Sequence, residues 1–412
     1  MKKEDLRKLV EKYYDETPED IVGVSYRKKM RDGKFTDEDA IVFTVKKKKP
    51  IEEIPEGELL PEVINFNGTE LKTDVIEGSY QLLQCQQWVI PPPNRNKFRP
   101  LKGGVSVTNY TNKSNSIGTL GFIAVDTESN SLVAVSNNHV LVKNAFLAPY
   151  VATSLPPLTD SYQNMVTQPN DGVDAGLQSS IGIVKKYVPL IKSPFGNTAD
   201  VALTTVNESD IDTSVSYLQE GLNGWSGPLE FATTEEIDSL SAGTIDLYSA
   251  GRTTGPKGEG STKLRAFSTI STINVPYFNQ IEDRNYWEVV KFNNSIGFLA
   301  TATTLNPGQI CTYPVAGGDS GSALLADFNG TRKIVGLVFA GEPISTTDLR
   351  IKYGYANRID DVAEQIGISA WTGNTVSYSD TGNTEQHIVS GLSTDTTLVL
   401  SGKTFNQLGT ST

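Results

Sequence analysis

The sequence predicts a mainly β protein, a sandwich or a pair of fused barrels, preceded by a small α+β unit. Three observations carry this. From Gly103 to about Ala356 the chain is a succession of short β-branched segments punctuated by Gly, Asn and Thr. The first 80 residues instead carry one helical apolar stripe and a few strand-like runs. A stiff proline run, Pro91-Pro92-Pro93, stands between the two textures. About 250 residues is a workable length for one all-β unit or two fused barrels. The reading divides the chain into 1–80, a linker 81–102, the β-rich unit 103–367 and a Ser/Thr/Gly-rich tail 368–412.

In the first unit, Met1 to Tyr14 reads as a charged amphipathic helix with Leu6, Leu9 and Val10 on one face. Ile21 to Tyr26 and Ala40 to Val45 read as strands joined through a D-G turn at Asp32-Gly33, and Leu71 to Ile76 as a third. Lys46 to Lys49 follow a strand and blunt its edge. In the β-rich unit the strand expectations are Gly104 to Thr108, Gly121 to Val125, Leu132 to Val135, Val201 to Val206, Thr244 to Tyr248 and Ile334 to Phe339. Ile359 to Ile366 has helical spacing, with Asp360 and Asp361 where they suit the dipole. In the tail, Thr372-Gly373-Asn374-Thr375 recurs as Thr381-Gly382-Asn383-Thr384; Val376, Ile388, Val389 and Leu398 to Leu400 read as short strands or as parts of a loose segment.

Composition narrows the function. A net charge of −12 argues against a general role on nucleic acid or an anionic membrane. No apolar run approaches the ~20 residues needed to span a bilayer. The N-terminus lacks the apolar core of a signal peptide. Cys85 and Cys311 are the only cysteines, which suits a cytoplasmic chain with reduced thiols. Two histidines, His139 and His387, without a Cys/His cluster predict no zinc site, and nothing calls for a cofactor.

The chemistry-bearing stretch is Ala316-Gly317-Gly318-Asp319-Ser320-Gly321-Ser322, followed by the apolar Ala323-Leu324-Leu325. Alone, it could be a glycine-rich hairpin turn. A serine becomes a nucleophile only with a base and with donors for the oxyanion. Gly318 and Ser320 could aim amides into one small space. The β-rich unit holds one histidine, His139, where an apolar strand breaks at Ser136-Asn137-Asn138. Its orienting carboxylate should stand at the edge of an apolar segment. Asp200 in Ala199-Asp200-Val201-Ala202-Leu203 fits; Asp126, Asp174 and Asp246 compete.

The texts S-N-N-H-V, A-D-V-A-L and G-G-D-S-G, in the order His139, Asp200, Ser320, resemble those of the chymotrypsin-fold, trypsin-like serine peptidases. The resemblance covers roughly 103–366 and implies two six-stranded antiparallel barrels with the triad between them. Ser320 would be the nucleophile, His139 the base, Asp200 its orienting partner, and Gly318 and Ser320 the oxyanion donors. The specificity position, six residues before the serine, is Pro314, so no trypsin-type carboxylate stands there. Phe339, Ala340 and Gly341 would line the cleft, in the strand that pairs with substrate backbone. Loops at Leu155 to Leu177 and Asn207 to Ile237 would be additions. Gly103-Gly104-Val105-Ser106-Val107, Gly118-Thr119-Leu120-Gly121, Gln168-Pro169-Asn170-Asp171-Gly172 and Gly251-Arg252-Thr253-Thr254-Gly255 look similar to bacterial trypsin-like proteins related to the plant narrow-leaf proteases.

The expectation is an intracellular serine endopeptidase acting on protein or peptide, with a regulatory partner met through the N-terminal unit. The alternatives are an inactive barrel pair used to bind peptides, and a structural β protein in which GGDSG is only a turn. Asp319 precedes the serine, as in members activated when a freed N-terminus pairs with that carboxylate; a cut near Lys102 would free such an amine. The other account has internal donors hold Asp319 and keeps the N-terminal unit as a scaffold. Gly103-Gly104, without a bulky apolar start, favours the scaffold.

Overall fold

A computed structural model of the chain describes residues 2–16, 20–31, 34–82, 93–110, 117–142, 164–169, 180–211, 229–258, 262–281, 284–302, 314–343, 351–371, 378–380, 387–389, 397–400 and 403–406. Cys85, Cys311, Asp174, the Asp32-Gly33 turn and most of the two expected extra loops lie outside these residues.

Helix α1 (Lys3–Glu16) buries Leu6, Leu9 and Val10, as its turn spacing requires. Strand β1 (Ile21–Arg31) pairs antiparallel with β2 (Lys34–Val45). Ala40, Ile41, Val42 and Phe43 of β2 are all buried, so both faces of that strand are covered. Strands β3 (Val63–Phe66) and β4 (Thr69–Glu77) form a hairpin across Asn67-Gly68. Both turn residues have positive φ, which the mirror-image two-residue turn demands and an N-G pair supplies. Strand β3 is not among the strands expected from sequence, although that N-G pair marks the turn that follows it. Strand β5 (Gln81–Leu82) closes the segment.

The first half of the β-rich region contains β6 (Ser106–Asn109), β7 (Ile117–Thr119), β8 (Phe122–Asp126), β9 (Ser131–Ser136), the one-turn helix α2 (Asn138–Leu141), β10 (Met165–Thr167), β11 (Ser180–Tyr187), β12 (Gly196–Asn197) and β13 (Ala202–Thr205). The second half contains β14 (Glu230–Phe231), α3 (Thr234–Ser239), β15 (Leu247–Gly251), β16 (Gly255–Lys257), β17 (Thr262–Ser268), the long hairpin β18 (Ile270–Ile281) and β19 (Arg284–Phe292), β20 (Ile296–Ala302), β21 (Ala323–Phe328), β22 (Thr331–Pro343), β23 (Ile351–Arg358), α4 (Ile359–Ile366) and β24 (Ile368–Ala370). The strand expected over Thr244 to Tyr248 starts later, because Gly243 takes positive φ to end the turn after α3. The tail contributes two short hairpins, Tyr378–Asp380 with His387–Val389 and Thr397–Leu400 with Lys403–Asn406.

The mainly β double-barrel class is what forms. In the second half β22, β21, β15, β17, β20 and β23 follow one another and β23 returns to β22, closing a six-stranded barrel. The first half is a half-barrel in the order β24-β8-β9-β13-β11-β10-β6-β7. One apolar core runs through both, with Phe122, Val133 and Leu203 continuous with Leu247, Leu324 and Val338.

A third sheet, β12-β19-β18-β1-β2-β4-β3, joins the N-terminal strands to the β18–β19 hairpin. The joint is antiparallel, with Gly23 to Tyr26 opposite Ile273 to Ile270. The first 80 residues therefore share a sheet with the rest of the chain. Ion pairs reinforce the joint. Arg358, 1% exposed in its side chain, pairs with Asp238 at 2.7 Å and Asp360 at 2.8 Å. Arg7 of α1 reaches the same Asp238 at 2.9 Å. Burying Arg358 is tolerable because two carboxylates meet it.

Glu342, at the end of β22, is buried, and its Oε2 has no hydrogen-bond partner among the described residues. Burial pushes its carboxyl up to about 7, against the opposing pull of Lys352 and Arg27 and a Tyr355 hydrogen bond. A raised carboxyl favours the fold at low pH and loses that contribution as pH rises through about 7. Glu342→Gln, neutral throughout, should unfold at higher denaturant than wild type at pH 8.5, by up to about 3 kcal/mol. The gap should shrink at pH 5. Equal gaps at both pH values would contradict this account.

Candidate active site

Strand β9 delivers the chain to the site and α2 turns it there. Asn137 donates through Nδ2 to Asp200 O at 2.7 Å, and Asn138 through Nδ2 to Val188 O at 2.6 Å. Those two bonds fix the backbone either side of the turn, and His139 follows. Its backbone N donates to Asp200 Oδ1 at 3.2 Å, and its Nδ1 lies 2.5 Å from Asp200 Oδ2. The His139 side chain is 15% exposed and that of Asp200 is not exposed at all.

Asp200 is gripped from three parts of the chain. Besides His139, the Tyr277 hydroxyl on β18 donates to Oδ2 at 2.6 Å, and the Asp200 amide donates to Asn357 Oδ1 on β23 at 2.9 Å. Tyr277 is fully buried, and burial and the Asp200 carboxylate push its hydroxyl well above the ordinary tyrosine range. It therefore remains a donor. Its ring meets the His139 ring edge-on, centroids 5.6 Å apart. Neither Tyr277 nor Asn357 was picked out from sequence. Tyr277 sits in a long strand without local punctuation, and only the fold brings it to Asp200.

Two of the competing aspartates, Asp126 and Asp246, have other partners. Asp126 is held by Lys185 and Lys186, with its carboxyl pulled well below the ordinary range although burial opposes this. Asp246 faces Arg265 and Lys263.

Ser320 sits between two glycines of positive φ, Gly318 and Gly321. A Cβ on Gly321 would fall 2.1 Å from Ser136 Oγ, so the turn presses directly on the half-barrel. The Ser320 carbonyl accepts from Thr119 N at 2.8 Å, and Thr119 Oγ1 donates to Gly318 O at 2.7 Å. A Cβ on Gly118 would meet both Val140, next to His139, and the Ser320 carbonyl. The histidine turn and the serine turn thus pack on one glycine. Ser320 Oγ lies 3.4 Å from Phe339 O.

Within this turn the amides of Asp319, Gly321 and Ser322 donate to Ala316 O, Val338 O and Asp319 O. The amides of Gly318 and Ser320 have no backbone acceptor among the described residues. These are the two expected oxyanion donors. Asp319 is buried and held internally. Its Oδ1 accepts from Thr253 N at 2.9 Å and Thr254 N at 3.1 Å, and its Oδ2 from Ala316 N at 2.9 Å. Burial raises its carboxyl, and these bonds oppose the rise. The Gly251-Arg252-Thr253-Thr254-Gly255 text is thus the receptor for Asp319, and Gly251 is required because a Cβ there would overlap the carboxylate at 2.1 Å.

Pro314 is buried at the start of the serine loop. Phe339 offers its carbonyl to the site, while its fully buried ring packs at a tilt of 47° against Phe292 with centroids 4.5 Å apart. Ala340 and Gly341 pair with Leu82 and Gln81 of β5. Among the described residues no Cys/His/Asp/Glu group is placed to hold a metal, and no helix is long and apolar enough to cross a membrane.

No protein-family model matches this sequence, and no curated protein does. Solved structures do. One is described as a glutamic-acid-specific serine protease that uses a histidine triad in substrate binding: 12% identity and TM-score 0.36, over 66% of this chain and 100% of that one. Protease A of Thermobifida fusca is 13% identical with TM-score 0.36, over 66% and 98%. The Nocardiopsis protease is 12% identical with TM-score 0.34, over 66% and 99%.

Removing the Tyr277 hydroxyl takes one donor from a fully buried carboxylate. Tyr277→Phe should lower the unfolding free energy by about 1–3 kcal/mol. Urea denaturation checks it; an unchanged midpoint would mean the hydroxyl is dispensable to the fold.

Proposed function

We propose that the chain is a serine endopeptidase of the trypsin-like type, with Ser320, His139 and Asp200 as its catalytic residues. The observation that supports this best is the 2.5 Å contact of His139 Nδ1 with the buried Asp200, set beside a serine turn with Gly318 and Ser320 amides to spare. In this reading Asp200 holds the imidazole with Nε2 facing the reaction. His139 takes the Ser320 proton as Oγ adds to the peptide carbonyl. The Gly318 and Ser320 N–H groups receive the oxyanion. His139 then protonates the leaving amine, and water, activated by the same base, hydrolyses the acyl-enzyme. Tyr277 acts as a positioning residue through Asp200.

Pro314 supplies no carboxylate for a basic side chain, so cleavage follows small or apolar residues and not Arg or Lys. The two-cysteine composition supports a cytoplasmic setting. The quoted glycine-rich texts support a place beside the narrow-leaf-related proteins. The sheet shared by β1 and β18 supports reading the N-terminal unit as a scaffold, and we propose that a regulatory partner acts through it. A second reading, a peptide-binding module without turnover, draws on one observation: the β22 edge accepts an extended antiparallel segment, β5.

Labelling with a small alkyl fluorophosphonate separates the two. Wild type should be labelled at Ser320 and Ser320→Ala should not, with the adduct located by mass spectrometry. A wild type that binds peptides but never labels would establish the binding module. Tyr277→Phe should lower kcat about tenfold to a hundredfold with KM little changed.

A further inference from the structure

Strand β22 has two edges at Ala340 and Gly341. One pairs with β23, with Ala340 opposite Tyr355 and Gly341 opposite Gly354. The other carries β5, antiparallel, with Leu82 opposite Ala340 and Gln81 opposite Gly341. The register advances toward the serine. The next residue of β22 is Phe339, whose carbonyl is 3.4 Å from Ser320 Oγ. On the endopeptidase reading above, this is the edge on which an extended substrate would lie.

We propose that Gln81–Leu82 is a built-in pseudo-substrate, a strand of the chain's own N-terminal segment that holds the peptide-pairing edge beside Ser320 and must leave before an extended peptide can bind. The segment is seated there. Leu82 packs against the aromatic cluster that contains Tyr80, Phe339, Tyr353 and Tyr355. Tyr80 stacks edge-on against Tyr355 at 5.2 Å, and its hydroxyl donates to Thr44 Oγ1 at 3.0 Å. Two glycines make room for the segment: a Cβ on Gly23 would fall 2.4 Å from the Tyr80 hydroxyl, and one on Gly78 would fall 2.7 Å from Glu342 Oε1. A two-residue pairing offers few hydrogen bonds, so a longer peptide that pairs with the same edge can displace it. Being covalently attached, the segment competes at a high effective concentration. The seat of Leu82 also defines the competing ligand, an extended peptide with an aliphatic side chain opposite Ala340.

Small reagents reach Ser320 without using the edge, which gives the test. Full-length wild type, Leu82→Asp and a Leu82→Cys/Ala340→Cys pair are compared by fluorophosphonate labelling and by hydrolysis of an extended fluorogenic peptide containing leucine. A carboxylate in the aromatic seat is unfavourable, so Leu82→Asp loosens β5. It should label as wild type does, while its KM for the peptide falls about tenfold or more. The cysteines face each other across the ladder and can bridge. Oxidised, that variant should label yet leave the peptide intact, and reduction should raise hydrolysis to the level of Ala340→Cys alone, the reference that carries any cost of altering the peptide edge. Should Leu82→Asp not fold, the cysteine pair decides alone. Equal peptide hydrolysis by its oxidised and reduced forms, with labelling intact, would overturn the pseudo-substrate while leaving the endopeptidase reading standing. Failure of wild type itself to label would remove both.

Discussion

The side chain of Asp200 has no contact with solvent, so protein donors must fill its lone pairs. They come from far apart in the sequence. His139 contributes its ring and its amide, and Tyr277 contributes a hydroxyl from the β18–β19 hairpin. The Asp200 amide in turn is tied to Asn357 on the closed barrel. Half-barrel, closed barrel and N-terminal sheet therefore meet at one carboxylate. A shift of any of the three would be felt at the His139 ring.

A second buried carboxylate does for the serine what Asp200 does for the histidine. Asp319 collects amides from Thr253, Thr254 and Ala316, and this draws the serine loop down onto the Gly251–Gly255 turn. The sequence left two accounts of Asp319, a freed N-terminus or internal donors. Here internal donors hold it, so the loop has its shape without an ion pair from a new chain end.

The N-terminal segment is more than a leader. It extends the sheet that carries Tyr277, its α1 shares Asp238 with Arg358, and its last strand lies on the edge of β22. This segment thus contacts two strands that reach the site, β18 with Tyr277 and β22 with Phe339. Glu342 of β22 is a buried acid close to Gly78.

The sequence by itself determined the β-rich texture, the helix over Ile359 to Ile366, the glycines flanking the Ser320 turn and the place of His139 as the one histidine in its region. These are local properties, set by side-chain period, turn chemistry and residue type, and neighbours in the chain suffice to specify them. It could rank Asp200 above Asp126 and Asp246 only as the better edge residue; the fold separated them by giving the other two lysine and arginine partners. Tyr277, Asn357 and the seat of β5 were decided by tertiary structure alone. Each depends on strands distant in sequence being laid side by side, and register between such strands follows from the packing of whole sheets, which no short window of sequence contains.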